Sequence, residues 1–186
     1  MDNWKTLSTK QIFKHRYLTL EEDSVVTPKG RKIKYLCLGR GVSSVTVVPI
    51  LKDGKIPLIY QFRYPHKKYF WELPGGRIDD GEKPAEGAER ELKEEMQIEA
   101  DKFIKLGSFA TAPGIDGHVK YVFLAEGAKF VNGPRKNDHD DSEFIQEVKT
   151  FTFPEILKMV EKGEIQVSAT LIAILLYRDY LNRKKK

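Results

Sequence analysis

"GGRIDDGEKPAEGAERELKEEMQIEA", residues 75–100, gathers Glu82, Glu86, Glu89, Glu91, Glu94, Glu95 and Glu99 in a chain whose net charge is +5. Like charges three or four residues apart on a helix repel one another. Pro84 suits a first helical turn, and Ala85, Ala88, Leu92 and Met96 recur at helical spacing, so a helix is expected from Pro84 to about Met96. On it Glu91, Glu94 and Glu95 stand at i, i+3 and i+4 and share one face about one turn long. Unpaired, that face costs stability. A hard divalent cation reverses the sign, because Mg²⁺ prefers clustered oxygen ligands. Glu82 lies in the preceding loop and can fold back onto the same face, and Arg90 can orient a carboxylate through its planar fork. Gly75 and Gly76 let the backbone come close enough for a main-chain carbonyl to join the set. The residues therefore read as a metal site of Gly75, Glu82, Glu91, Glu94 and Glu95, with Mg²⁺ expected and Mn²⁺ as the alternative. A solvated, charge-rich helix is the competing account.

Before this stretch the pattern is that of strands. Ser24 to Thr27 lead into the turn Thr27-Pro28-Lys29-Gly30, and residues 31–39 return, so a hairpin is expected. Val45 to Leu51 is apolar and β-branched, Asp53-Gly54 signals a hairpin turn, and Ile56 to Phe62 is the returning strand. Tyr69-Phe70-Trp71 then runs into the loop Leu73-Pro74-Gly75-Gly76. After the helix, strands are expected near 102–110, 119–125 and 144–152. Pro154 opens a helix that Gly163 ends, and Ser168 caps a last one running to about Asn182. A mixed sheet with helices on its faces fits this order.

A chain of 186 residues, 40% of them hydrophobic, can bury one real core. The basic excess owes much to the tail Arg183-Lys184-Lys185-Lys186, so charge alone does not argue for a nucleic-acid partner. Cys37 is the only cysteine and sits in an apolar run, which reads as a buried thiol. The N-terminus lacks the apolar core of a signal peptide, and the longest apolar run, Leu171 to Tyr177, is too short for a membrane span. A cytoplasmic enzyme or binding domain is expected.

Gly76, Glu82, Arg90, Glu91, Leu92, Glu94, Glu95 and Ile98 fit G-x5-E-x7-R-E-U-x-E-E-x-G-U, where U is a bulky aliphatic residue. Six fixed polar or glycine positions arise by chance in roughly one chain in 10⁵ at average residue usage. Gln97 replaces the late glycine. The pattern is the Nudix box, and the chain resembles the Nudix hydrolases. "YQFRYPHKKYFWELPGG", residues 60–76, resembles the approach to the box in the ADP-ribose pyrophosphatase branch. "GSFATAPGID", residues 107–116, is similar to that branch's downstream segment, whose proline is Pro113 here. "SEFIQEVKTFTFPEILKMVEKGEI" with the final apolar helix resembles its C-terminal part.

The resemblance implies an α/β fold, an α/β/α sandwich with a mixed sheet. It divides the chain into an N-terminal antiparallel β-hairpin region, 1–42, and a hydrolase domain, 43–186. It also implies a homodimer that exchanges its N-terminal hairpins. The implied chemistry is hydrolysis of the diphosphate of a nucleoside diphosphate sugar, such as ADP-ribose to AMP and ribose 5-phosphate. Arg63, with its planar fork, and Pro113 are the substrate-binding candidates. The base comes from the acidic loop Asp138 to Glu143, Glu143 being the first choice and Asp141 the second, with Glu94 the catalytic candidate within the box. Tyr17, Tyr64 and Phe109 are candidates for stacking a base. His15, His66 and His118 show no ligand spacing, and His139, in the acidic loop, reads as a solvated residue. Two other readings compete. A nucleotide-sugar binding module with weak catalysis would show broken box carboxylates. A hydrolase of nucleoside triphosphates or capped RNA would not need the "TAPG" segment or the hairpin.

Overall fold

The computed structural model describes residues 3–15, 17–131 and 145–185, which fall into two compact units. The first comprises Met1–Ser43 and Phe109–Val119. Its strands β1 (Lys5–His15), β2 (Leu18–Val26) and β3 (Lys32–Leu38) form an antiparallel sheet in that order. The expected hairpin about Thr27–Gly30 is β2–β3, closed by a 2.9 Å bond from the Gly30 N–H to the Thr27 carbonyl. A third strand, β1, joins it. Its alternation is hard to read in the sequence because every residue of β1 is exposed and neither face is apolar throughout. Within the sheet Asp23 is buried. It accepts from Thr9 Oγ1 at 2.6 Å and from Arg40 Nη2 at 2.5 Å, and the Arg40 hydrogen bond keeps its carboxyl below the ordinary carboxylate range. The segment 109–119 is tied to β3 by the Leu38 N–H to Ile115 O bond, 2.8 Å, and by the Tyr35 hydroxyl to Gly114 O, 2.8 Å.

The second unit comprises Ser44–Ser108 and Lys120–Lys186. Apart from the strand-end residues Ser43, Phe109, Ala110 and Val119, it holds β4 (Ser43–Leu51), β5 (Ile56–Arg63), β6 (Lys68–Glu72), α1 (Pro84–Met96), β7 (Ile98–Glu99), β8 (Lys102–Ala110), β9 (Val119–Phe130), β10 (Ile145–Phe151), α2 (Phe153–Glu161) and α3 (Ser168–Lys184). One sheet runs β10-β5-β6; the other runs β4-β9-β7, with β8 on β9. The Asp53-Gly54 turn forms, but the strands it joins belong to different sheets, so they are not the two arms of a hairpin. An Asp-Gly pair fixes a chain reversal and not the partners of the strands beyond it. Val45, Val47, Ile59 and Phe123 pack with Ala88, Leu92 and Met96 of α1 in one core. None of the described helices is long and apolar enough to cross a membrane.

Ser168 is the first residue of α3 and not its cap; Val167 precedes the helix without a side-chain bond. Burial anchors that end instead: the Leu73 N–H donates to Thr170 Oγ1 at 3.1 Å, and Thr170, Ala173, Ile174 and Tyr177 are buried. At the other end of α1, Gln97 stands at φ 54° and ψ 41°, the left-handed conformation that the box glycine suggests. Its N–H donates to Lys93 O at 2.9 Å and ends the helix. A side chain there costs roughly 1–2 kcal/mol, which the extra chain entropy of glycine largely offsets. Gln97→Gly is expected to leave the urea midpoint unchanged or slightly raised and catalysis unaltered.

Candidate active site

The chain folds Glu82 back because its backbone makes a tight turn. The Glu82 N–H donates to Asp79 O at 3.0 Å, and the Asp79 N–H donates to Glu82 Oε2 at 3.0 Å. The carboxylate thereby reaches the flank of α1. There the Arg90 Nε and Nη2 donate to its two oxygens at 3.0 Å each. The same guanidinium donates from Nη1 to Glu91 Oε1 at 2.8 Å and to Glu94 Oε2 at 3.0 Å, and from Nη2 to the Arg77 carbonyl at 2.8 Å. Arg90 thus holds three of the four glutamates. Its hydrogen bond holds the Glu82 carboxyl below the usual range, and the Glu82 bond in turn raises the arginine.

Glu95 is fixed from the other side. The Gly75 N–H donates to its Oε2 at 2.7 Å, and the loop carrying Gly75 runs along β4, with Val45 N–H to Gly76 O and Val47 N–H to Pro74 O both at 2.9 Å. Glu91 and Glu95 are buried, at 8% and 5% exposure, whereas Glu94 is exposed. Among the described residues no three acidic or histidine side chains converge as the ligands of one ion would. Arg90 stands among them as their cation. The residues nevertheless fit a hard divalent ion. Their donors are all oxygens, and the space over Glu91 exists because Gly76 has no side chain: a Cβ there would lie 2.5–2.6 Å from the Glu91 carboxylate.

Arg63, at the end of β5, makes a two-pronged ion pair with Glu72 of β6, Nε to Oε1 at 2.9 Å and Nη2 to Oε2 at 2.7 Å. Glu72 is buried, and no local pattern marks it as this partner because the two residues are not directly opposite: Glu72 lies across from Ile59, and Arg63 from Lys68. Lys120, on β9, also went unnoticed. It lies within electrostatic reach of Arg63, Glu72, Glu95 and Glu91, and burial, followed by the Arg63 charge, pushes its amine below the ordinary lysine range. The available signal was a charge in phase with Val122 and Leu124 on a strand, both of them buried. Pro113 is exposed in the first unit, in the segment 109–119. Glu143 and Asp141 lie outside the described residues.

The chain belongs to the Nudix family of hydrolases: residues 42–171 match the family's domain, and residues 4–35 match a nucleoside diphosphate sugar hydrolase N-terminal domain. Among its relatives it is 35% identical to an ADP-ribose pyrophosphatase of Bacillus subtilis, over 97% of this chain and 94% of that one. It is 34% identical to a methanol dehydrogenase activator of Bacillus methanolicus, over 91% and 90% of the two chains. A crystal structure described as an ADP compounds hydrolase superposes with a TM-score of 0.82 at 21% identity, covering 97% of this chain and 95% of the other, which establishes the shared fold.

Proposed function

We propose that the chain hydrolyses the diphosphate bond of a nucleoside diphosphate sugar, ADP-ribose foremost, and depends on Mg²⁺, or Mn²⁺ in its place. The carrying observation is the convergence of Glu82, Glu91 and Glu94 on Arg90, beside Glu95 on the Gly75 amide. The names of two relatives support the substrate: ADP-ribose pyrophosphatases of Bacillus subtilis and Mycobacterium tuberculosis, 35% and 29% identical. When bound, a divalent cation held by Glu82, Glu91, Glu94, Glu95 and the Gly75 carbonyl neutralises phosphate oxygens and lowers the pKa of a bound water. Arg63 contacts a phosphate with the edge of its guanidinium turned away from Glu72, to which Nε and Nη2 already donate. Glu143, or Asp141 two residues earlier, takes the proton of the attacking water. Glu94 is exposed, and among the described residues it is bonded only to Arg90, so it can turn toward the reacting groups. A P–O bond of the diphosphate breaks as the water oxygen bonds phosphorus, giving a nucleoside monophosphate and a sugar phosphate. Pro113 belongs to the same reading as a residue that shapes the substrate site.

The test is a panel assayed with chelator-treated protein reconstituted with Mg²⁺ or Mn²⁺. ADP-ribose, ADP-glucose and GDP-mannose should release AMP or GMP, and nothing should be released without the ion. Faster turnover of nucleoside triphosphates or capped RNA would sink the proposal, and binding without turnover would favour a binding module. Glu143→Gln is expected to lower kcat by about 10²-fold or more, the scale of a lost general base, with KM little changed. If Asp141→Asn is the crippled variant instead, the base moves by two residues.

A cytoplasmic setting fits the single free cysteine, Cys37. The homodimer is supported by β1, exposed along its whole length, whose Leu7, Ile12 and Phe13, with Trp4 just before it, are each about half exposed. A second copy of the sheet, as in an exchange of residues 1–42 ahead of the domain 43–186, would cover them. Light scattering at micromolar concentration distinguishes this from a monomer.

A further inference from the structure

Glu72 is a buried carboxylate whose two oxygens both accept from Arg63. That partner comes from well along the neighbouring strand. The register of β5 and β6 sets Arg63 opposite Lys68, Gln61 opposite Phe70 and Ile59 opposite Glu72. Residues directly opposite share a face of the sheet, as do residues two apart on one strand. Arg63 and Glu72 therefore stand on one face, offset along the strands by the length from Ile59 to Arg63, roughly 13 Å at the usual rise. The arginine closes that gap by lying back along β5 across the Gln61–Phe70 pair. On the way it passes an acceptor nearer in register, the Oε1 of Gln61, which is buried and has no hydrogen-bond partner. An arginine at a strand end would otherwise extend into water, where its long stem is free to turn. Glu72, and not the strand, decides where this guanidinium lies. Held through Nε and Nη2, the group turns its Nη1 end away from the carboxylate, and 38% of the side chain stays exposed.

We infer that Glu72 is a positioning residue of the reaction: by pinning Arg63 across the sheet it sets the edge that the guanidinium presents to a diphosphate oxygen. It makes no contact with the substrate itself. The inference rests on the functional reading above, since it takes the anion on Arg63 to be a phosphate. Two effects oppose one another when the carboxylate is neutralised. Losing its charge removes a repulsion toward an anionic substrate. Losing its hold frees the arginine stem, which the substrate must then order again on binding. The carboxylate is buried on the far side of the guanidinium and its charge is taken up by that group, so the second effect wins. A role confined to tying β6 to β5 predicts different behaviour: stability would fall and the substrate's affinity would stay.

The experiment uses the full chain and an ADP-ribose analogue with a methylene bridge between the phosphates, which binds but cannot be cleaved there. Calorimetric titration in the presence of Mg²⁺ gives its affinity for the wild type, Glu72→Gln, Arg63→Ala and the double variant. Glutamine keeps the shape of Glu72 but offers one acceptor and an amide that repels the second N–H. Glu72→Gln should weaken binding about 5-fold, the scale of one side chain that has to be ordered on binding. Arg63→Ala should lose about 10-fold or more, and adding Glu72→Gln to it should change the affinity no further. Unchanged or tighter binding by Glu72→Gln overturns the inference, as does a loss that persists in full without Arg63. Arg63→Ala leaves Glu72 buried without its partner, so thermal unfolding checks that it folds. If it does not, ¹⁵N NMR of the arginine side chains in wild type and Glu72→Gln replaces the double variant. The Arg63 Nε–H should then exchange slowly with water in the wild type and fast in Glu72→Gln; equal exchange overturns the inference. A wild type that neither binds the analogue nor cleaves any nucleoside diphosphate sugar removes the functional reading itself. Equal binding by wild type and Glu72→Gln removes this inference alone.

Discussion

Glu95→Gln is expected to lower turnover by several orders of magnitude and to leave the metal-free fold intact. The two halves of that result have different causes. Glutamine keeps the shape of the side chain, and its amide oxygen can still accept the 2.7 Å bond from the Gly75 N–H. Removing the charge also relieves repulsion with Glu91, four residues earlier and likewise buried. The apo melting temperature should therefore not fall. Catalysis loses an anionic ligand that a neutral amide oxygen replaces poorly for a hard cation. The measurement is kcat on ADP-ribose after chelation and Mg²⁺ reconstitution, beside thermal unfolding without metal. Near-wild-type activity would show that the carboxylate cluster is not the metal site.

Gly75→Ala acts through crowding, and its effect is expected on stability as well as on rate. Gly75 has φ 153°, and a Cβ there would lie 2.8 Å from the Cα of Thr46, within contact distance of the Val45 carbonyl oxygen as well. Those atoms are backbone of β4, with Val45 0% exposed, so nothing flexible can move aside. The loop or the strand has to shift, which breaks the paired bonds to Gly76 and Pro74. A cost of about 3 kcal/mol, the upper part of the usual overpacking range, is expected. For a chain of this size that corresponds to a fall in Tm of roughly 6 to 12 °C. Gly81→Ala is the control: Gly81 also has a positive φ, 85°, but nothing lies within 4 Å of its added Cβ. Should both substitutions cost the same, backbone strain and not crowding governs Gly75.

The carboxylate helix was legible because its signals are local. Pro84, the apolar spacing of Ala88, Leu92 and Met96, and the i, i+3, i+4 glutamates all act within α1, and the structure places them as the spacing requires. Gln97 was legible too, through a departure from the box pattern at the position where the helix turns left-handed. What the sequence hid were relations between distant segments. The separation of β4 from β5 into two sheets depends on β9 and β10, which lie far along the chain. The Arg63–Glu72 pair is diagonal across two strands, and the surroundings of Lys120 draw on β5, β6 and α1 together. Arg90 was foreseen as orienting one carboxylate, but not as the common partner of Glu82, Glu91 and Glu94, because the return of Glu82 is set by the Asp79–Glu82 turn.

That common partner makes one side chain the point on which three of the glutamates depend. Carboxylates this close repel one another unless a cation stands among them. Here that cation is a guanidinium built into the chain, bonded to Glu82, Glu91 and Glu94. Removing it would strip all three of their shared counter-charge at once. The order of the acidic face is thus carried by a covalent part of the protein.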